Sequence, residues 1–175
     1  MCPLVHGEDI DEQLFASKDA TQHLARQLKS KLISSLEKSG AINSISVCNT
    51  EAFKISAELS KKYNGKVSRT SLKIRNPENK PDTWERNTLL EFENQKQAGA
   101  DTSQLESYKV IKNDNGKWFR YMKAIPTGDV CLMCHGEHIA PDIKDKIKTL
   151  YPNDLATGYE RGELRGAFTV MLRMQ

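Results

Sequence analysis

Between Ile10 and Leu36 the apolar residues Ile10, Leu14, Leu24, Leu28, Leu32 and Leu36 recur at multiples of about four, the stripe of an amphipathic helix. Gly40 follows as a helix stop. Ala52, Ile55, Leu59 and Tyr63 form a second stripe, which predicts a helix over residues 50–63 with Gly65 after it. The ISVC between the two stripes places Cys48 just ahead of that second helix. VSRTSLKI (67–74), rich in β-branched residues and alternating at Leu72 and Ile74, reads as a strand. RNPENKPD is a loop, because its two prolines break any regular element. Asp82 and Glu85 make a capping box that opens a third helix with Trp84, Leu89 and Phe92, ending near Gly99. ESYKVIK (106–112), the turn NDNG (113–116) and KWFRYMKAI (117–125) form a hairpin. Pro141 starts a short helix to Leu150, and LRGAFTVMLR (164–173) is a last strand. Helices first and an antiparallel meander later imply an α+β domain with one sheet.

Composition fits that picture. A chain of 175 residues, 38% apolar and 28% charged, is one ordinary globular domain with a real core, spanning residues 10–175. Residues 1–9 precede it as a disordered or non-native N-terminus. Twenty-six basic residues are interspersed with 23 acidic ones for a net charge of +3, and no basic block or aromatic-basic stripe speaks for nucleic acid. No apolar run approaches the roughly 20 residues of a membrane span. Met1 is either a true start or what remains after a leader was removed, and Cys2 next to it raises the question of a lipidated mature terminus.

The chemistry concentrates in CLMCHGEH (131–138). With only four cysteines and four histidines in the chain, random placement would give about 0.002 matches to C-x-x-C-H. Three functions use such a cluster. In covalent attachment of a c-type haem, Cys131 and Cys134 add across the two vinyl groups. Residues three and four apart on a helical turn share a face, so His135 can reach the iron below. Zinc would take Cys131, Cys134 and His138, with a fourth ligand that the sequence does not supply at finger-like spacing. A thioredoxin-type dithiol belongs after a strand of a βαβ unit, whereas this motif lies late in an antiparallel chain. The haem reading fits best, and it implies maturation outside the bacterial cytoplasm.

Three stretches carry a resemblance: RTSLKIRNPENKPDTWE (69–85), IPTGDVCLMCHG (125–136) and YPNDLATGYERGELRGAFTV (151–170). In this order, with Cys48 upstream, the chain resembles the PAS-like c-type haem domains of bacterial periplasmic monohaem proteins and extracytoplasmic sensor regions. The resemblance implies N-terminal helices, a five-stranded antiparallel PAS-like sheet and one haem c per chain. It also implies a second axial ligand, a cysteine thiolate at the position of Cys48. The family often shows a proline a few residues beyond that cysteine, and CNTEAFK has none. A place ahead of a helix would lower the pKa of Cys48 through the helix dipole. The plainer alternative is a small buried apolar side chain. Rivals for the sixth position are Met122, Met133, His23, His138 and no protein ligand.

A His/Cys pair gives a low reduction potential and leaves no open coordination position. The expected function is therefore redox activity without catalysis, as an electron carrier or a redox or gas sensor. The alternative is a haem enzyme of peroxidase type with an open or labile sixth site. Arg75, Tyr159 and Arg165, with Arg161 beside them, are candidates for holding the haem propionates. The implied setting is the bacterial periplasm, with a redox or signalling protein as partner. The long N-terminal helix either pairs with a second copy or covers the sheet.

Overall fold

The computed structural model describes residues 7–174, apart from the side chains of residues 7, 8, 47 and 48. The chain is α+β, with helices α1 (Gly7–Lys62), α2 (Thr83–Gln97), α3 (Asp129–His135) and α4 (Pro141–Leu150). Its strands are β1 (Gly65–Thr70), β2 (Glu106–Asn113), β3 (Gly116–Pro126) and β4 (Leu164–Met174). They form one antiparallel sheet in the order β1-β4-β3-β2.

Gly40 breaks α1 with φ 74° and ψ 175°, a backbone conformation that L side chains rarely adopt. The helix resumes at once, so the second arm covers residues 41–62 rather than starting near Thr50. Cys48 consequently lies inside that arm, and the expectation that it precedes a helix N-terminus is corrected. One left-handed glycine is enough to redirect a helix, and no separate loop is needed. The side chain of Cys48 lies outside the described residues, as do residues 1–6 with Cys2.

The four described strands correct the implied five-stranded sheet. The chain leaves β1 at Thr70, earlier than the expected 67–74 strand, because Ser71 turns it. The Ser71 hydroxyl has the carbonyl oxygens of Arg165 (2.8 Å) and Lys73 (3.0 Å) as acceptors for its one proton. A 3-10 turn at Pro77–Asn79 follows, where prolines exclude a ladder.

The two sheet faces bury different helices. Leu24 and Ala20 from the first arm of α1 and Ile55 and Leu59 from the second pack on Val67, Phe119, Tyr121, Val170 and Leu172. On the opposite face Leu89 and Phe92 of α2 meet Met122, Ala124, Leu164 and Ala167. The capping box of α2 is present, and its Glu85 does more than cap. This buried carboxylate also accepts from Thr169 Oγ1 (2.8 Å) and from Arg120 Nη2 (3.2 Å). A third cluster joins Ile143, Ile147 and Tyr151 of the α4 region to Ile45, just after the α1 break. These three clusters leave a gap beside Gly40, at the end of the sheet.

Candidate functional site

The gap is a cleft of about 1160 Å³ including its open mouth. Leu32, Leu36, Ser44 and Ile45 line it from either side of the α1 break, and Ile125, Val130 and Met133 add apolar surface. Cys131, Cys134 and His135 face it from a single turn of α3, and Arg69, Arg75 and Arg165 come from the sheet end and the loop after β1.

Sequence explains why α3 lies there. β3 ends in a register shift, with Ile125 opposite Gly166 and Pro126 opposite Leu164, so Arg165 is the extra residue of a bulge. Gly166 permits this: a Cβ there would lie 2.4 Å from the Thr70 carbonyl oxygen. After the bulge, Gly128 opens α3 directly from the strand end. The C-terminal end of α3 is then strapped by the segment 154–159. Tyr159 N–H donates to the His135 carbonyl (3.0 Å) and Gly158 N–H to that of Gly136 (3.1 Å).

His135 carries the clearest chemical signature. Its Nδ1 lies 2.7 Å from the Ala156 carbonyl oxygen, an acceptor only, so Nδ1 bears the proton and Nε2 keeps its lone pair. This is the tautomer of a metal-ligating histidine with its orienting partner in place. Desolvation by the surrounding protein, aided by Arg165 and Arg75, pushes its pKa well below 6.5, which keeps the imidazole neutral.

The arginines divide the work. Arg75 forks onto Asp154, with Nε to Oδ1 at 3.0 Å and Nη2 to Oδ2 at 2.9 Å. It also donates to the carbonyls of Cys134 (2.6 Å) and Ala156 (3.2 Å). Arg165 donates to Ser71 Oγ (3.0 Å) and lies over the Tyr159 ring. It forms no ion pair among the described residues, and its surroundings lower its pKa through burial and the nearby Arg75. A desolvated guanidinium at the cleft wall without a carboxylate partner suits an anionic group on a bound ligand. Arg69 lines the cleft as well and was not singled out by sequence reasoning.

Other expected residues fall elsewhere. Tyr159 stands edge-on behind His135 at 6.3 Å between ring centres and lines a shallow groove on the far side of α3 with His138 and Arg161. Arg161 lies 3.5 Å from Asp129 at the exposed surface. Met122 is fully buried under α2, and His23 bonds Tyr63 at the α1 pair, so neither lines the cleft. Cys48 lies in the second arm of α1, four residues after Ser44 in sequence, and its side chain is outside the described residues. No cluster of three or more His, Cys, Asp or Glu among the described residues is placed to hold a metal ion, so the zinc reading gains no ligand set.

A model of the Tll0287-like family matches residues 8–173. The chain belongs to the Tll0287-like family. The resemblance drawn from the three stretches is thereby borne out. The fold is also that of a solved structure titled as the cyanobacterial haem protein Tll0287, with a TM-score of 0.67 at 23% identity over 98% of this chain and 99% of that one. A comparison with curated proteins finds no match.

The sequence did not reveal the segment that orients His135. Asp154 and Ala156 act through an ion pair and a backbone carbonyl, which leave no spacing signal. The only cue was that YPNDLATGYERG carried part of the family resemblance.

Proposed function

We propose that this protein is a periplasmic monohaem c-type cytochrome that transfers electrons or senses redox state or a gas. One observation carries the reading: Cys131, Cys134 and His135 share a helical turn that faces an apolar cleft flanked by arginines. The donor set fits haem c. Two thiols are spaced for the vinyl edges, a neutral imidazole has its Nδ1 fixed, and Arg165 is a cation with no ion pair among the described residues. The cyanobacterial haem protein of the same fold supports it.

When bound, the haem supplies a one-electron Fe(III)/Fe(II) couple. The chain's residues set the conditions for it. Cys131 and Cys134 would hold the group by thioether bonds, and His135 would offer Nε2 to the iron. Arg165 and Arg69 offer guanidinium groups to the propionates, while Leu32, Leu36, Ile45 and Ile125 exclude water from the cleft. Cys48, in the second arm of α1, is the proposed second axial ligand, as the family resemblance implies. Thiolate donation favours the ferric state and gives a low potential. With both axial positions filled by protein, turnover is not the expected role. Among the described residues no helix is long and apolar enough to cross a membrane, and the redox or signalling partner is a separate molecule in this reading.

The test is the electron paramagnetic resonance spectrum of the ferric protein, produced with periplasmic haem maturation. We expect a low-spin, thiolate-type signal that Cys48→Ala abolishes. A high-spin signal unchanged by that substitution would replace the His/Cys pair by an open iron and turn attention to peroxide turnover.

A further inference from the structure

One residue in the strap beneath α3, Ala156, is held through both its backbone N–H and its carbonyl. The Ala156 N–H donates to Asp154 Oδ1 at 2.9 Å. Its carbonyl oxygen accepts from His135 Nδ1 at 2.7 Å and from Arg75 Nη2 at 3.2 Å. Arg75 and Asp154 are themselves joined by a two-pronged ion pair whose side chains are 10% and 9% exposed. The same Arg75 Nη2 reaches the Cys134 carbonyl, the last residue of the attachment pair before His135. The chain therefore builds a frame that fixes both the position of the Ala156 carbonyl and the charge around it.

That carbonyl sets how strongly His135 donates to a metal. A better acceptor at Nδ1–H draws the proton away and makes the ring more imidazolate-like, which raises ligand basicity. A cationic donor sharing the same oxygen withdraws electron density from it and weakens that effect. A carboxylate next to the cation restores some of it. The balance between Arg75 and Asp154 thus acts on the imidazole without either residue touching the iron.

We infer that Arg75 and Asp154 are a positioning pair that tunes the reduction potential of the haem through the Ala156 carbonyl and His135. The inference rests on the haem reading above. It assigns Arg75 to the proximal histidine and leaves the propionates to Arg165 and Arg69. The two partners pull in opposite directions. Arg75→Lys keeps the charge near Asp154 but loses the fork to Ala156 and Cys134, so the carbonyl becomes the stronger acceptor and the ferric state gains. Asp154→Asn leaves the Arg75 charge uncompensated beside that carbonyl, so the acceptor weakens and the ferrous state gains.

The experiment is a redox titration of the haem-loaded parent, Arg75→Lys and Asp154→Asn, with absorbance for covalent haem and circular dichroism for the fold. The parent must first show covalently bound haem, and its absence there would defeat the haem reading itself. Given a loaded parent, the expected result is a lower potential for Arg75→Lys and a higher one for Asp154→Asn. Each shift should approach tenfold in the ferric/ferrous ratio, about 59 mV for a one-electron couple. A merely structural pair would move both variants the same way or neither. Either of those results overturns the inference, and should one variant fail to fold, the sign of the shift in the other decides.

Discussion

His23 and His135 each have Nδ1 in a hydrogen bond, and the two surroundings make different residues of them. His23 bonds the Tyr63 hydroxyl, with the Asp19 carboxylate and the Lys62 ammonium each 3.5 Å away. Tyr63 donates in turn to Asp19 at 2.6 Å, so the group ties the first arm of α1 to the end of the second. His135 meets a backbone carbonyl, lies among desolvated arginines, and shares its helical turn with two thiols at an apolar cleft. A carboxylate and a hydroxyl in polar surroundings make a histidine a strut. A neutral acceptor, a low dielectric and an open lone pair suit it to the proposed role of ligand.

The most drastic way to break this comparison is to remove the attachment side. Replacing Cys131 and Cys134 by Ser should abolish covalent haem, and His135→Ala should abolish the low-spin spectrum. His23→Ala should change neither in absorbance or paramagnetic resonance. A loss of the low-spin signal in His23→Ala would erase the distinction.

Next in size is the core beneath the strut. Leu24 is fully buried between α1 and the sheet, so Leu24→Ala should cost about 2–5 kcal/mol, measured by denaturant unfolding. The spectrum of the folded fraction should stay as it was. Tyr63→Phe should cost less, roughly 1 kcal/mol, since it deletes one hydroxyl between Asp19 and His23 and leaves the ring in place.

The smallest effect is a pH dependence. Burial, reinforced by Asp19, raises the Tyr63 pKa from 10.0 to about 12. The fold therefore favours the neutral phenol. Its contribution to stability is complete below pH 10 and is lost as pH rises from there through about 12. Urea midpoints across that range should fall less steeply in Tyr63→Phe than in the parent.

The two sites also differ in how far the sequence discloses them. CLMCH is a local pattern, and its spacing already specifies a helical turn with its thiols and imidazole together. α2, the hairpin, α4 and β4 were legible for the same reason, since a capping box, NDNG and Pro141 act within a few residues. The orienting frame was not legible. Arg75 meets Asp154 across 79 residues, and His135 meets a carbonyl 21 residues on, where any residue type would serve. The α1 break was half legible: Gly40 marked the stop, but the β-branched Ile45 and Val47 concealed that helix resumes at once. The early end of β1 depends on the Ser71 bond to Arg165, 94 residues away, which no local reading reaches.

The central claim is covalent haem at Cys131 and Cys134. Its most direct test is the intact mass of the denatured protein after expression with periplasmic maturation, before and after acid-solvent extraction. The account predicts one haem added per chain, retained through extraction and lost when both cysteines are replaced by Ser. A chain at its unmodified mass, or haem that washes out on denaturation, would contradict it.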